Sequence, residues 1–137
     1  MRVGIDLVQV SGIESSLATF GERFLRRVFT AREVSDADAA APPRFTARHL
    51  AARFAAKEAT MKALDLGEHG VGWRDIEVTR APSGMHALEL HGAALEALRA
   101  HEAEHGGQSR LRLSLSQDGD YAAAIVVLQE HPRESEP

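Results

Sequence analysis

The strongest constraint on this chain is one long stretch, residues 46–66 (TARHLAARFAAKEATMKALDL), which reads as a single helix stopped by Gly67. At about 100° per residue, Leu50, Phe54, Met61 and Leu64 share an apolar face. Lys57 falls inside that stripe and Glu58 on its edge. Arg53 stands one turn before Lys57, and Lys62 one turn beyond Glu58. Charge is costly to bury, so these residues are solvated, paired or used. On the helix alone, a surface position with snorkelling side chains accounts for them.

Around this helix the pattern is β, helices, ββ, α, ββ. "VGIDLVQV" predicts a first strand over Val3–Val10, and Ser11 with Glu14 forms a capping box that starts a helix. A short helix is expected over "ERFLRRVF", and a second capping box, Thr30 with Glu33, opens another at "AREV". "DADAAAPPRF" is expected to be a loop, because paired prolines break helices. "RDIEVTR" and "MHALEL" flank a turn at "APSG", while "RLRLSLS" and "YAAAIVVL" flank one at "QDGD". These are two hairpins, separated by the helix "HGAALEALRAHEAEH". The expectation is one α+β domain over residues 1–130, a mostly antiparallel sheet packed on the long helix, and a frayed polar tail over 131–137. A chain of 137 residues with 44% hydrophobic content has room for one such core.

Asp6 changes the weight given to the helix charges. On the first strand it points the same way as Val8 and Val10, opposite to Val3, Ile5 and Leu7. A carboxylate among valines, in a strand expected to be central, needs a cation or several donors. An arginine partner is one solution. A divalent cation shared with Glu58 is the other, and magnesium suits it because it takes few protein carboxylates and keeps phosphate oxygens. Arg53, Lys57 and Lys62 would then suit an anionic ligand, most simply a phosphate.

"GIDLV", "ARFAAKEATMKAL" and "LSLSQDGDYAAAIVVL", with "RFLRRVFTARE", "WRDIEV" and "SGMHALELHGAA" between them, resemble the holo-acyl-carrier-protein synthases. These are the short, single-domain 4′-phosphopantetheinyl transferases. The resemblance runs from Val3 to Leu128 and implies that family's fold. It also implies magnesium-dependent transfer of phosphopantetheine from coenzyme A to a serine of an acyl or peptidyl carrier protein, releasing adenosine 3′,5′-bisphosphate. By the same resemblance Asp6 and Glu58 are metal ligands, and Glu58 and Lys62 are catalytic. Arg53, Lys57 and Gln117 contact or support the coenzyme A phosphates. Arg23, Phe24, Arg26 and Arg27 are expected to dock the carrier's acidic helix, and the assembly is expected to be a homotrimer with sites between subunits. The chain departs from the family at Gln117, where a histidine is usual, and lacks the basic residue often found near Ser11 or Gly12. Gln117 keeps open a second reading: a non-catalytic carrier-protein or nucleotide-binding module of the same fold.

Other signals are weaker. "HEAEH" at 101–105 matches the H-E-x-x-H zinc pattern, with Glu130 or His131 as late candidates for a third ligand, but it ends directly in two glycines and reads as a solvated helix end. A net charge of −4 argues against general nucleic-acid affinity. The absence of cysteine excludes disulfides and agrees with the cytoplasm. No apolar run reaches membrane length, and the N-terminus is too short and too soon charged for a signal peptide.

Overall fold

The alternating N-terminal segment forms strand β1 (Arg2–Gln9), followed by helices α1 (Val10–Phe20), α2 (Glu22–Val28), α3 (Ala31–Ala39) and α4 (Pro43–Leu64). A 3₁₀ turn at Trp73–Asp75 leads into the hairpin β2 (Ile76–Arg80) and β3 (His86–Leu90). Helix α5 (Gly92–His105) and the hairpin β4 (Gly107–Asp118) and β5 (Tyr121–Pro132) complete the chain. This is a computed structural model that describes residues 1–39, 43–66 and 70–132. Every strand pairing among the described residues is antiparallel: one sheet runs β1-β5-β4, the other β2-β3. No helix among them is long and apolar enough to cross a membrane.

Helix α4 is the spine. It packs on β1 and β5 and reaches β2. Its small residues Ala51, Ala55, Ala56, Ala59 and Ala63 are all buried, so the backbones approach closely. Gly4 is the extreme case, because a Cβ there would lie 1.8 Å from the Ala59 carbonyl oxygen. Gly4→Ala must therefore push α4 off β1. The expected cost is at or above the usual overpacking range of about 1–3 kcal/mol, read as a lowered urea midpoint. The outer face of β1 is bare instead: Val3, Ile5 and Leu7 are exposed, as are Ile125 and Tyr121 beside them on β5.

Several boundaries differ from the sequence reading. β1 lies at the edge of its sheet, not at the centre, and is covered on one face by α4. The Ser11–Glu14 box does not cap α1; Asp120, in the β4–β5 turn, accepts from Ser11 N at 2.9 Å and from its hydroxyl at 2.6 Å. Residues 36–39 and 43–45, expected to be loop, are helical, and Pro43 stands in the first turn of α4, where its missing N–H costs nothing. α4 ends at Leu64 because Asp65 turns left-handed (φ 56°); Gly67, the expected stop, lies outside the described residues. Finally, β5 continues to Pro132, so the strand takes up the first two residues of the expected tail, and residues 133–137 lie outside the description.

Candidate functional site

Lys57 is fully buried. Its Nζ donates to Glu33 Oε1 at 2.7 Å, to the Trp73 carbonyl at 3.0 Å, and to the Ile76 carbonyl. All three ammonium hydrogens are thus used internally, and none is left for a phosphate. The direct phosphate contact, one of the two roles expected for Lys57, is therefore corrected: its ammonium braces α4 against Glu33, Trp73 and Ile76. Glu33 is equally buried, and besides Lys57 it accepts from Thr30 N at 3.0 Å and Val78 N at 3.1 Å. The Thr30–Glu33 capping box is real, and its glutamate is also the counter-ion of α4. Burial holds the Lys57 ammonium below its ordinary pKa, with the Glu33 carboxylate opposing.

Asp6, Glu58 and Lys62 come together where β1 crosses α4. Lys62 Nζ donates to Asp6 Oδ1 at 3.1 Å and to the Ile5 carbonyl at 3.0 Å. Asp6 is largely enclosed and Lys62 half exposed. The Glu58 carboxyl is pushed above its ordinary pKa, first by burial and then by Asp6, with Lys62 opposing. Two oxygen-donor carboxylates, of which Glu58 is made costlier to ionise by the charge of Asp6, with one lysine opposing, fit a hard divalent cation. A cavity of about 600 Å³ opens beside them, lined by Glu58, Met61, Lys62, Asp65, Val71 and Trp73.

Arg53 faces elsewhere. Nine residues separate it from Lys62, which at about 100° each is half a turn, so the two project from opposite sides of α4. Arg53 lines a second cavity of about 550 Å³, shared with His49, His86 and Gln117 and with no residue of the first. Its guanidinium is buried. One terminal nitrogen donates to the His49 carbonyl at 3.1 Å, and Nε has no partner among the described residues. Gln117 is exposed, and its amide donates to the Arg48 carbonyl at 3.2 Å.

Arg23 and Arg27 are exposed on α2, and Arg26 pairs with Glu22 at 3.1 Å. Phe24 is half-buried, its ring edge-on to the core ring of Phe29. In the "HEAEH" segment, His101 Nε2 and Glu130 Oε1 are 2.7 Å apart, while Glu102 accepts from Ser109 N at 2.9 Å. That helix end is pinned to the sheet instead of solvated, and the glutamate a hydrolase needs as its base is already bonded. Sequence reading also missed a group on the β2–β3 sheet, where Glu77, Glu89 and His91 bring donor atoms within 4.8 Å of one another. Burial raises the Glu77 pKa, but bonds from Thr30 and His91 and the charges of His91 and Arg32 outweigh it and hold the carboxyl low.

Comparison with known proteins shows the chain's family. The family model described as the 4′-phosphopantetheinyl transferase superfamily matches residues 2–126. The holo-[acyl-carrier-protein] synthase of Paramagnetospirillum magneticum is 45% identical over 130 residues, covering 95% of this chain and 96% of that one. Among solved structures, the ACPS-CoA complex of Chronobacterium ammoniagenes superposes with a TM-score of 0.77 at 35% identity, over 95% of this chain and 97% of that one. The Helicobacter pylori holo-[acyl-carrier-protein] synthase in complex with coenzyme A gives 0.74 at 26% identity, over 93% and 99%.

Proposed function

We propose that this chain, which belongs to the 4′-phosphopantetheinyl transferase superfamily, moves phosphopantetheine from coenzyme A to a serine of an acyl or peptidyl carrier protein. The observation that carries the reading is the meeting of Asp6, Glu58 and Lys62 beside an open cavity. The serine oxygen bonds to the β-phosphorus as the bond from that phosphorus to the bridging oxygen breaks. The electron pair leaves with adenosine 3′,5′-bisphosphate. Asp6 and Glu58 would hold magnesium, which when bound neutralises charge on the phosphate oxygens. Glu58, its pKa raised, is the acceptor for the serine proton. Lys62, half exposed, offsets charge on the leaving group. Incubation with magnesium, coenzyme A and apo-carrier should add the mass of one phosphopantetheine to the carrier. If the carrier's mass is unchanged while coenzyme A still binds, the reading becomes the binding-module one.

Arg53 and Gln117 serve the nucleotide phosphates of the same ligand. Because α4 is about 10–12 Å across with its side chains, a nucleotide held at Lys62 does not reach Arg53 of its own chain around the helix. One ligand would therefore use Lys62 of one copy and Arg53 of another. The exposed apolar face of β1 and β5 offers a surface for such copies, read here as a homotrimer. Arg53→Ala and Glu58→Ala variants, each weak alone, should regain activity when co-assembled. No regain in verified mixed assemblies would sink the shared site. The working compartment on this reading is the cytoplasm, where coenzyme A and carriers meet.

Docking of the carrier falls to α2. Charge reversal at Arg23 or Arg27 should raise the Michaelis constant for the carrier several-fold and leave that for coenzyme A little changed, as should added salt in the parent. Arg26, paired with Glu22, and Phe24, packed on Phe29, should matter less. Silent kinetics in both reversals would make α2 a solvated face only.

A further inference from the structure

The β2–β3 hairpin forms a sheet of its own, apart from β1, β5 and β4. A two-stranded sheet is marginal by itself, and this one is held by packing Ile76, Val78, Leu88 and Leu90 into the core. Its other face carries charge. Glu77 stands directly opposite Glu89 in the antiparallel register, and His91, two residues after Glu89, falls on the same face as the diagonal neighbour of Glu77. Like charges placed directly opposite one another work against strand pairing. Glu89 pairs with Arg32 Nη1 only at 4.0 Å, with both side chains more than half exposed. Glu77 is buried. Thr30, just before α3, donates its hydroxyl to Glu77 Oε2, and Glu77 Oε1 faces His91 Nε2 at 3.2 Å. None of these side chains lines the cavity beside Glu58 and Lys62.

We propose that Glu77, Glu89 and His91 bind one borderline divalent ion, zinc by the nature of the donors, and that this ion cross-links β2 to β3. The donor atoms are two carboxylate oxygens and an imidazole nitrogen, all within 4.8 Å of one another. Two ligands each about 2.1 Å from an ion stand at most about 4.2 Å apart. Glu89 and His91, both partly exposed, close the difference by small side-chain rotations. An ion entering there takes the place of the proton shared by His91 Nε2 and Glu77 Oε1. Its two positive charges turn the opposition of Glu77 and Glu89 into a bridge between the strands. The donor set selects the ion: imidazole nitrogen with carboxylates suits zinc, whereas magnesium takes oxygen ligands. The Thr30 hydroxyl fixes the Glu77 carboxylate from behind, as a hydrogen-bond partner orients a metal ligand. Three protein ligands leave one side of the ion to water, in keeping with the half-exposed imidazole. This site is separate from the carboxylates of Asp6 and Glu58 and does not depend on the function proposed for them.

The test titrates zinc, and cobalt(II) as a coloured probe, into the metal-stripped full chain at constant pH with excess magnesium present throughout. One equivalent of cobalt should bind with visible ligand-field bands, and zinc should displace it. Zinc should also raise the thermal midpoint by several degrees, since an ion that binds only the folded state stabilises it. Glu77 is buried and its replacement could unfold the hairpin, so the test rests on Glu89→Gln and His91→Gln. Each should weaken cobalt binding at least tenfold and remove most of the zinc-induced rise in midpoint. Magnesium-dependent transfer by Glu89→Gln should stay parental. His101 and His105, whose rings lie 4.1 Å apart, and the Asp6 site are other places where an ion could lodge. His101→Gln and Asp6→Ala should therefore keep the cobalt bands. Cobalt bound equally well by the parent, Glu89→Gln and His91→Gln overturns the proposal, and so does a parent that binds neither ion. Transfer can proceed normally in both cases, so this failure is distinct from a failure of the proposed function.

Discussion

Asp6→Ala and Glu58→Ala should each lower phosphopantetheine transfer by on the order of 10²–10³-fold or more, the scale for losing one preorganised group at a developing charge, while the protein stays folded. The reason lies in what each carboxylate touches. Asp6 meets only Lys62 among the described side-chain bonds, and Lys62 keeps the Ile5 carbonyl when Asp6 is gone. Structure therefore loses one partly exposed ion pair, a loss of about 0–1 kcal/mol. The Glu58 carboxyl, freed from Asp6, should fall back toward its ordinary pKa, since Asp6 is one of the two causes raising it. The sign is checkable. A carboxyl whose pKa is raised by folding favours the folded state at low pH and opposes it above that pKa, so removing Asp6 relieves a small penalty at neutral pH. Activity should respond in the opposite direction, because on the proposed reading the two carboxylates hold one cation and act as a unit. The double variant should be little worse than either single one. A chelator should match the single variants, and magnesium or manganese should restore only the parent. An Asp6→Ala protein with parental turnover would remove Asp6 from the site.

How much of this was legible beforehand depends on which force set each feature. The hairpins and α2 follow from local periodicity, and Asp6 and Glu58 stand out as charges that are expensive where they stand. The family resemblance then assigned their roles. The α1 cap was not legible, because Asp120 is remote in sequence and Ser11–Glu14 satisfies the local rule equally well. The edge position of β1 was hidden for a similar reason: Val3, Ile5 and Leu7 suit a central strand, yet here they stand on an exposed face. Arg53 and Lys62 read as neighbours of one site by spacing to Lys57 and Glu58, while helix geometry sends them to opposite sides. The second role of Glu33 gave no separate signal. A capping glutamate and a buried counter-ion have the same sequence, and only the arrival of Lys57 from 24 residues away distinguishes them.

That pair carries the largest expected effect on stability. Lys57→Met or Glu33→Gln should destabilise the fold by about 3–5 kcal/mol, the usual cost of leaving one buried charge without its partner. Many buried ion pairs can be exchanged for apolar residues at no net loss, but this one should resist the exchange. Lys57 also serves the Trp73 and Ile76 carbonyls, and Glu33 also serves the Thr30 and Val78 amides. Lys57→Met with Glu33→Leu would leave those groups buried and unbonded, at about 1–3 kcal/mol each, so the double variant should gain little over either single one. The pH dependence separates lost packing from an orphaned charge. Folding lowers the Lys57 pKa, by burial and against the pull of Glu33. A base depressed by folding opposes the folded state below its unfolded pKa, and the penalty shrinks as pH rises through the interval between the folded and unfolded values. Glu33→Gln removes the opposing carboxylate, so the depression deepens and the penalty grows. Urea midpoints of Glu33→Gln should therefore climb between pH 7 and 10 more steeply than those of the parent, while Lys57→Met, with no ammonium to titrate, should lack that climb. A Glu33→Gln protein that loses less than about 1 kcal/mol, or whose midpoint follows the parent's pH course, would show that Lys57 is not held by Glu33.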